Sequence, residues 1–124
     1  MIPMPFEITA TRYFAAAHQI RLYDGSVEPL HGHNWRVVVR VEANQLDAIG
    51  VVMDFHELDR LLGEITTPMH NRYLNELGAF AAVNPTTENV AVHIATHLKL
   101  PAKVTLLSVE VWETPENSAV YRPR

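Results

Sequence analysis

The sequence contains no cysteine, which excludes disulfide bonds, zinc sites built from thiolates and a thiol nucleophile. It has no apolar run near the roughly 18 residues that a membrane-spanning helix requires, so we expect no membrane partner. Basic residues are also few, since 10 Lys and Arg stand against 14 Asp and Glu and give a formal net charge of -4. Because these basic residues are scattered along the chain, we expect no nucleic-acid partner.

What the sequence does contain is typical of one globular domain. Its 124 residues fit a single domain, 1–124, because domains usually have roughly 100–200 residues. Hydrophobic residues make up 48% and charged residues 19%, which favours a buried core over disorder. Met1 to Arg12 lacks the basic and apolar regions of a secretory signal, so we expect a cytoplasmic protein. The unusual feature is a set of seven histidines.

Alternation of apolar residues predicts two long strands that form an antiparallel hairpin. The first spans Phe6 to His18, and Arg12 interrupts its apolar face, so we expect a bulge there. The second spans His31 to Val41. Residues 19–30 have the composition of a loop and connect the two strands.

Helical spacing and capping residues predict two helices after the hairpin. One runs from Asp54 to Ile65, and Asp54 with Glu57 fits a capping box. The other begins at Thr86-Thr87-Glu88, which supply an N-cap and a first-turn acid, and it ends before Pro101.

The remaining segments complete the predicted order. Residues 66–85 have few apolar runs and form mainly a loop, long enough to suggest a functional role. Residues 104–113 and 118–121 alternate as two final strands. The predicted order is therefore ββααββ, in the α+β class.

Three histidines are the candidate metal ligands. His31 and His33 project from one face of the second strand, because side chains alternate with a period of two. His18 ends the first strand on the parity of its apolar face, and a hairpin brings it beside the start of the second strand. Catalytic zinc commonly takes three protein ligands and leaves one position open, so this set predicts Zn²⁺ with Lewis-acid chemistry. The alternative is that all three are ordinary polar residues at a strand edge and a turn.

Several segments carry a family resemblance. Phe14-Ala15-Ala16-Ala17-His18 followed by Leu30-His31-Gly32-His33-Asn34 resembles the 6-pyruvoyltetrahydropterin synthase / 6-carboxytetrahydropterin synthase family. The resemblance continues in order over nearly the whole chain through Val52-Met53-Asp54-Phe55, Arg72-Tyr73-Leu74-Asn75, Asn84-Pro85-Thr86-Thr87-Glu88-Asn89 and Val111-Trp112-Glu113-Thr114. It implies the tunnelling fold (T-fold), a four-stranded antiparallel sheet with two helices on one face. It also implies zinc on His18, His31 and His33, and trimers that pair into hexamers with sites between subunits.

A carboxylate is the candidate anchor for a pterin ring. Glu113 ends an otherwise apolar row on one strand face, formed by Thr105, Leu107, Val109 and Val111. A pterin presents its 2-amino group and a ring N–H as a planar pair of donors, which one carboxylate can accept together. The resemblance places the pterin anchor on Glu113 and puts Thr87 and Glu88 near the ring. The alternatives are a solvated strand end for Glu113 and stabilisation by the helix dipole for Glu88.

Three catalytic positions depart from the family pattern. Most members have a cysteine general base four residues before the first histidine of His-Gly-His, and Val27 stands there in this chain. The family's Asp-His pair before Leu-Asn aligns with His70 and Asn71. His70 is a candidate acid or relay because imidazole titrates near neutrality, whereas Asn71 can orient a group but cannot carry a proton. A one-residue insertion would instead align His70 with the family's own histidine.

Glu28 offers a compensation for the missing cysteine. It lies three residues before His31, and it resembles a variant class in which a glutamate replaces the cysteine and the product shifts toward 6-hydroxymethyl-dihydropterin. A carboxylate beside a metal in a dry pocket can act as a general base. The resemblance implies a zinc-dependent synthase or lyase of 7,8-dihydroneopterin triphosphate, with Glu28 as base, His70 as acid and Glu113 on the ring.

Two alternatives to this function stay open. One is a non-catalytic relative that binds a pterin or a metal, and the other is an enzyme of the same fold acting on a purine-like heterocycle. Nothing in the sequence chooses among queuosine, folate and biopterin metabolism. A second histidine pair, His93 and His97, lies four residues apart on the second helix, and we expect an exposed helix face there because no third ligand is evident.

Overall fold

The first two strands form the centre of the sheet in the computed structural model, which describes residues 5–124. β1 (Phe6–His18) pairs antiparallel with β2 (His31–Ala43). Their register runs from Phe6 opposite Ala43 to His18 opposite His31 without a shift in these described strands. The predicted hairpin is confirmed, and the bulge expected at Arg12 is wrong. Residues 1–4 of the predicted domain lie outside the described residues.

Arg12 keeps its place in the regular strand because α1 (Phe55–Thr66) supplies partners for its guanidinium. Arg12 Nε donates to Thr66 Oγ1 at 3.1 Å, and Nη1 lies 3.4 Å from Asp59 Oδ2. Gly63 leaves the space for this group, because a Cβ there would lie 2.9 Å from Arg12 Cζ. A polar residue on the core face is therefore satisfied by the helix above it rather than by a bulge.

Both helices begin near the predicted residues. Asp54 is the N-cap of α1 and accepts from the His56 N–H at 2.8 Å, but Glu57 pairs with Arg60 and does not complete the capping box. α2 (Thr87–His97) has Thr86 as its N-cap, which accepts from the Asn89 N–H at 3.0 Å. Within the described residues, neither helix is long and apolar enough to cross a membrane.

Within residues 5–124 the sheet has five strands instead of the four expected. β3 (Arg72–Tyr73) pairs parallel with Ala16 and Ala17 of β1, so the sheet is not wholly antiparallel. β4 (Thr105–Thr114) pairs with β2, and β5 (Asn117–Tyr121) pairs with β4, which gives the order β3-β1-β2-β4-β5. A strand of two residues has no periodic sequence pattern. For this reason the sequence predicted only a loop over the segment that contains β3. Three short 3₁₀ turns, Thr67–Met69, Leu74–Glu76 and Gly78–Phe80, occupy the same segment.

A bulge in β4 breaks the apolar row predicted on that strand. Arg40 pairs with Ser108 and Val41 pairs with Leu106, so Leu107 is the extra residue. Leu106 packs against the core beyond the bulge, and the prediction that Thr105 and Leu107 share a face with Val109 is wrong. Val109 and Val111 remain buried in the core, and Glu113 follows them at a second register shift, where Trp112 pairs with Ser118 but Thr114 pairs with Asn117.

The core lies between the two helices and one face of the sheet. Its largest fully buried side chains include Phe14, Trp35, Leu58, Leu62 and Ile94, and burying one such side chain contributes about 1.5–3 kcal/mol. Phe14 stacks on Trp35 with ring centroids 5.7 Å apart, and Trp35 Nε1 donates to the Ala16 carbonyl at 3.2 Å. The fold is therefore of the α+β class. Its apolar core ends at the end of the sheet where β1 stops at His18 and β2 begins at His31.

Candidate metal and substrate site

Three histidine side chains converge at the end of the β1–β2 hairpin. The register places His18 directly opposite His31, and His33 follows on the same face of β2. His18 Nε2 lies 3.0 Å from His31 Nε2. One ligand atom from each histidine and one from Glu113 lie within 4.8 Å of one another. The structure therefore brings together the three residues that the sequence predicts as metal ligands.

Backbone carbonyls orient two of the imidazoles. His18 Nδ1 lies 2.8 Å from the Pro85 carbonyl, and His31 Nδ1 lies 2.9 Å from the Pro29 carbonyl. Because a carbonyl only accepts, each Nδ1 carries the proton and donates it. The lone pair of each Nε2 is then directed into the cluster, which is the arrangement found around metal-ligating histidines.

His33 provides the test of whether a metal fits. Its Nε2 is buried and has no hydrogen-bond partner among the described residues, a condition that costs free energy. Burial holds the pKa of His33 below its usual value, although the Glu113 carboxylate opposes this shift. A neutral imidazole with an unpartnered nitrogen is the form that ligates a metal, so the donor set fits a bound cation.

Glu113 completes the cluster from the neighbouring strand β4. Its Oε1 lies 2.9 Å from His18 Nε2 and 3.9 Å from His33 Nε2. The sequence predicts Glu113 as a ring anchor but does not reveal that it faces the histidines. Three imidazole nitrogens form a donor set that suits Zn²⁺ and leaves one position open, and the Glu113 carboxylate lies beside them. Within residues 5–124 this is the one group of such side chains close enough to hold a metal.

Glu28 lies at the margin of the cluster. Its Oε1 accepts from the Ile20 N–H at 3.0 Å and lies 3.8 Å from His31 Nε2. The side chain is 27% exposed, so one side of the carboxylate reaches solvent or a ligand. Val27, which stands at the family's cysteine position, is exposed. The predicted base therefore lies beside the predicted metal ligands.

His70 and Asn71 lie at the outer edge of β1, away from the cluster. The Ala15 N–H donates to His70 Nδ1 at 3.1 Å, and the Asn71 N–H donates to the Ala15 carbonyl at 2.6 Å. Ala15 precedes His18 by three residues, or about 10 Å along a strand. Asn71 has a φ of 57°, a left-handed conformation that asparagine tolerates.

Two separate cavities receive these two side chains. Asn71 lines an open cavity of about 580 Å³ that also reaches His33 and Tyr73. His70 lines a smaller cavity of about 200 Å³ beside Tyr13 and Thr66. Within one chain, Asn71 lines the same cavity as His33, whereas His70 lines the other cavity.

The start of α2 packs against the site. Pro85, whose carbonyl accepts from His18, precedes Thr87 by two residues. Thr87 is half-buried and Glu88 is exposed in the first turn. The segment that orients His18 thus leads directly into the first turn of α2, which carries the two predicted substrate residues.

The second histidine pair remains separate from this cluster. His93 is half-buried, with its ring centroid 5.4 Å from that of Phe80, whereas His97 is exposed. The expectation of an exposed helix face is therefore wrong for His93. Both residues line an apolar cavity of about 440 Å³ between the helices.

Comparisons with known proteins cover almost all of the chain. Residues 7–124 match the family model described as 6-pyruvoyl tetrahydropterin synthase. The human 6-pyruvoyl tetrahydrobiopterin synthase is 42% identical over 96 residues, which are 74% of this chain and 66% of the human protein. The dihydroneopterin monophosphate aldolase of Pyrococcus furiosus is 34% identical over 105 residues, 83% of this chain and 85% of that protein. The 6-carboxy-5,6,7,8-tetrahydropterin synthase of Bacillus subtilis is 32% identical over 136 aligned positions, 98% of this chain and 88% of that protein.

A solved structure has the same fold. The 6-pyruvoyl tetrahydropterin synthase of Caenorhabditis elegans matches with a TM-score of 0.84 at 23% identity, and the match covers 100% of both chains. At this identity the likeness concerns the arrangement of strands and helices. It agrees with the α+β T-fold that the sequence resemblance implies.

Proposed function

This chain belongs to the 6-pyruvoyl tetrahydropterin synthase family, and we propose that it is a zinc-dependent pterin synthase or lyase acting on 7,8-dihydroneopterin triphosphate or a close relative. The observation that carries this proposal is the cluster of His18, His31, His33 and Glu113, in which a buried imidazole nitrogen of His33 has no partner among the described residues. Glu28 lies beside this cluster.

The three histidines would hold Zn²⁺ through their Nε2 atoms. When bound, the ion supplies Lewis acidity that lowers the pKa of substrate side-chain hydroxyls. The carbonyls of Pro85 and Pro29 fix the tautomer and the ring orientation of His18 and His31, so these ligands are preorganised. Trp35, which is fully buried, packs against His18 with ring centroids 4.9 Å apart and would exclude water from that side of the site.

Glu28 would act as the general base. In side-chain cleavage it accepts the proton of the C2′ hydroxyl, the C1′–C2′ bond breaks, and the electron pair moves into the conjugated pterin ring. A proton then returns to C1′, and the two-carbon fragment leaves as an aldehyde. One base and one returned proton balance this reaction, so a carboxylate suffices in a chain without cysteine. The Pyrococcus furiosus relative is named as an aldolase, which supports cleavage of the side chain as one of the possible reactions.

Glu113 would hold the pterin ring. A carboxylate accepts the 2-amino group and the adjacent ring N–H together, which fixes the ring in one orientation. Because Glu113 Oε1 lies 2.9 Å from His18 Nε2, a ring bound there lies directly beside the histidine cluster. Thr87 and Glu88 would contact the ring from the start of α2.

Assembly of several subunits would supply the acid or relay group, for which His70 is the candidate. We propose a cytoplasmic homo-oligomer, a trimer or a hexamer of two trimers, in which sheet edges pair between subunits. The short β3 and β5 are the two edges of the sheet within the described residues. His70 lies at the edge of β1 that pairs with β3. In the assembly, His70 would act as acid or relay in the site of a neighbouring subunit rather than in the site of its own subunit. Light scattering after gel filtration measures the assembly.

The direct test is to incubate the zinc-loaded protein with 7,8-dihydroneopterin triphosphate and to identify products by mass spectrometry. A carboxytetrahydropterin, pyruvoyl or hydroxymethyl pterin establishes the enzyme and its reaction. His56→Ala is the control, because His56 is a histidine whose side chain is 96% exposed on α1. Unchanged substrate would contradict the proposal. Competition between pterins and purines would then distinguish a pterin-binding relative from an enzyme on another heterocycle.

A further inference from the structure

Two asparagine side chains continue the sheet beyond the end of β1. Asn75 Oδ1 accepts from the Gln19 N–H at 2.9 Å, and Asn75 Nδ2 donates to the Gln19 carbonyl at 2.7 Å. Asn84 makes the same pair of contacts with Arg21, at 2.8 Å to the N–H and 3.0 Å to the carbonyl. Each carboxamide therefore takes the place of a residue in a neighbouring strand.

The opposite edge of this segment faces Glu28. Backbone groups of alternate residues in an extended chain point to opposite edges. Because Gln19 and Arg21 are bound on one edge, Ile20 is directed to the other. There the Ile20 N–H donates to Glu28 Oε1 at 3.0 Å, and the Glu28 N–H donates to the Ile20 carbonyl at 3.0 Å. The two asparagines thus fix the backbone that holds the Glu28 carboxylate.

Further contacts connect the Gln19 side chain to the backbone of Glu28. Tyr73 donates its hydroxyl to Gln19 Oε1 at 2.6 Å, and Gln19 Nε2 donates to the Glu28 carbonyl at 2.9 Å. The Gln19 side chain is therefore held at both ends. Tyr73, Gln19 and Asn75 form one network around the peptide that precedes Ile20.

Asn84 connects the segment to a metal-ligand candidate. Its backbone carbonyl accepts from Asn89 Nδ2 at 2.8 Å in the first turn of α2. The next residue, Pro85, provides the carbonyl that orients His18. One short piece of backbone therefore fixes both Arg21 and the His18 ring.

We propose that Asn75 and Asn84 are positioning residues, which hold the Ile20 N–H against Glu28 and keep the Glu28 carboxylate 3.8 Å from His31 Nε2. This inference rests on the proposed role of Glu28 as base. Neither asparagine needs to touch the substrate. Only a carboxamide supplies both the acceptor and the donor that each site uses, since aspartate lacks the donor and leucine lacks both.

Asn75→Asp is the sharpest test because it preserves size and the acceptor but places a carboxylate oxygen against the Gln19 carbonyl. We expect kcat to fall about tenfold or more, with KM and zinc stoichiometry unchanged, because small displacements of a reacting group lower the rate steeply. Asn117→Asp is the matched control, since Asn117 is an exposed asparagine at the start of β5. Unchanged kcat in Asn75→Asp, or a loss of zinc, would overturn the inference.

A double-mutant cycle shows whether Asn75 acts through Glu28. In a Glu28→Gln background, the added Asn75→Asp change should leave the residual kcat unaltered, because the group being positioned is already removed. An equal further loss in that background contradicts the mechanism. Tyr73→Phe, which removes only the hydroxyl that donates to Gln19, should reproduce a smaller loss of kcat even where Asn75→Asp fails to fold.

Hydrogen exchange separates this inference from the proposed function. Exchange of the Ile20 and Glu28 amides, followed by mass spectrometry of a peptide covering residues 19–28, should become faster in Asn75→Asp and stay unchanged in Asn117→Asp. If the wild-type protein converts no pterin, the function fails while faster exchange still supports positioning of Glu28. Unchanged exchange overturns the positioning role whatever the activity.

Discussion

The strand pair His31 and His33 and the helix pair His93 and His97 both have a spacing that places two imidazoles side by side. Their ring centroids are 4.7 Å apart on the strand and 4.5 Å apart on the helix. The surroundings differ. On the strand, His18 joins from the neighbouring strand and Glu113 joins from the strand on the other side. On the helix, His97 Nδ1 contacts the His93 carbonyl, and the His93 ring packs on Phe80.

The difference shows that spacing alone does not make a metal site. A zinc site needs at least one further ligand besides such a pair, and groups that fix the orientation of each imidazole. Pro85 and Pro29 fix the rings of the first cluster through their carbonyls. The helix pair has no third ligand group close enough among residues 5–124. His93 instead packs on Phe80, and both histidines line the cavity between the helices.

Replacing one histidine of each pair should give the largest contrast. We expect His31→Ala to weaken zinc binding by about a hundredfold or more, because even the loss of a residue that only orients a ligand commonly reduces metal affinity about 10–100-fold. His93→Ala should leave zinc affinity unchanged. Competition with a chromophoric chelator measures both affinities. Equal zinc affinity in wild type and His31→Ala would remove His31 from the ligand set.

Zinc should also stabilise only the protein with an intact strand cluster. A ligand that binds the folded state raises the unfolding free energy in proportion to the logarithm of its concentration over Kd. Adding a chelator should therefore lower Tm in the wild type and in His93→Ala, but not in His31→Ala. If the chelator leaves Tm unchanged in the wild type and in both variants, metal binding at the end of the hairpin is contradicted.

Glu28→Gln tests the chemistry of the strand cluster without removing a ligand. We expect kcat to fall about 10²–10⁴-fold, the usual contribution of a general base, while zinc stoichiometry is preserved. The amide still accepts from the Ile20 N–H, so the loop should keep its conformation. Steady-state kinetics with parallel metal analysis provides the measurement. Turnover equal to that of the wild type would show that Glu28 is not the base.

Glu113→Gln should have a smaller effect than Glu28→Gln, and it should weaken substrate binding. Loss of one charge-assisted hydrogen bond to the ring is expected to raise the pterin Kd about tenfold to a hundredfold. Fluorescence titration with a pterin measures the change. Glu116→Gln is the matched control, since Glu116 is exposed in the adjacent turn. A pterin Kd that is identical in both variants would place the ring elsewhere.

The hairpin cluster could be predicted from the sequence because its geometry follows from local rules. Parity assigns His31 and His33 to one face, and one buried face fixes the register that brings His18 opposite His31. The bounds predicted for the first strand, Phe6 to His18, are confirmed. The order of helices and long strands is confirmed for the same reason, since each has a periodic apolar face.

What the sequence did not reveal depends on pairings between distant backbones. The two residues of β3 pair with β1 and thereby place His70 beside Ala15, yet a two-residue strand has no pattern. The bulge at Leu107 follows from the pairing of β2 with β4. The asparagine contacts with Gln19 and Arg21 join residues more than fifty positions apart, and no local propensity encodes them.

The smallest predicted effect concerns His93 and His97, which should make the free energy of unfolding depend on pH. Burial lowers the pKa of His93 below its usual value near 6.5, and the neighbouring His97 adds to the shift. The unfolded state therefore binds more protons than the folded state as pH falls through that range, so the free energy of unfolding should decrease on acidification. This contribution is fully present above the unfolded pKa and is lost as pH falls toward the folded one.

His93→Gln should remove that part of the dependence, because the amide does not titrate. His97→Gln should weaken it, since it removes the neighbouring charge while Glu64 and Lys99, which line the same cavity, remain. Urea unfolding of the zinc-free proteins at several pH values between 5 and 8 measures the slope and excludes proton release from metal binding. A slope that is the same in wild type and His93→Gln would show that the helix pair titrates alike in both states, and the contrast between the two histidine pairs would then rest on metal binding alone.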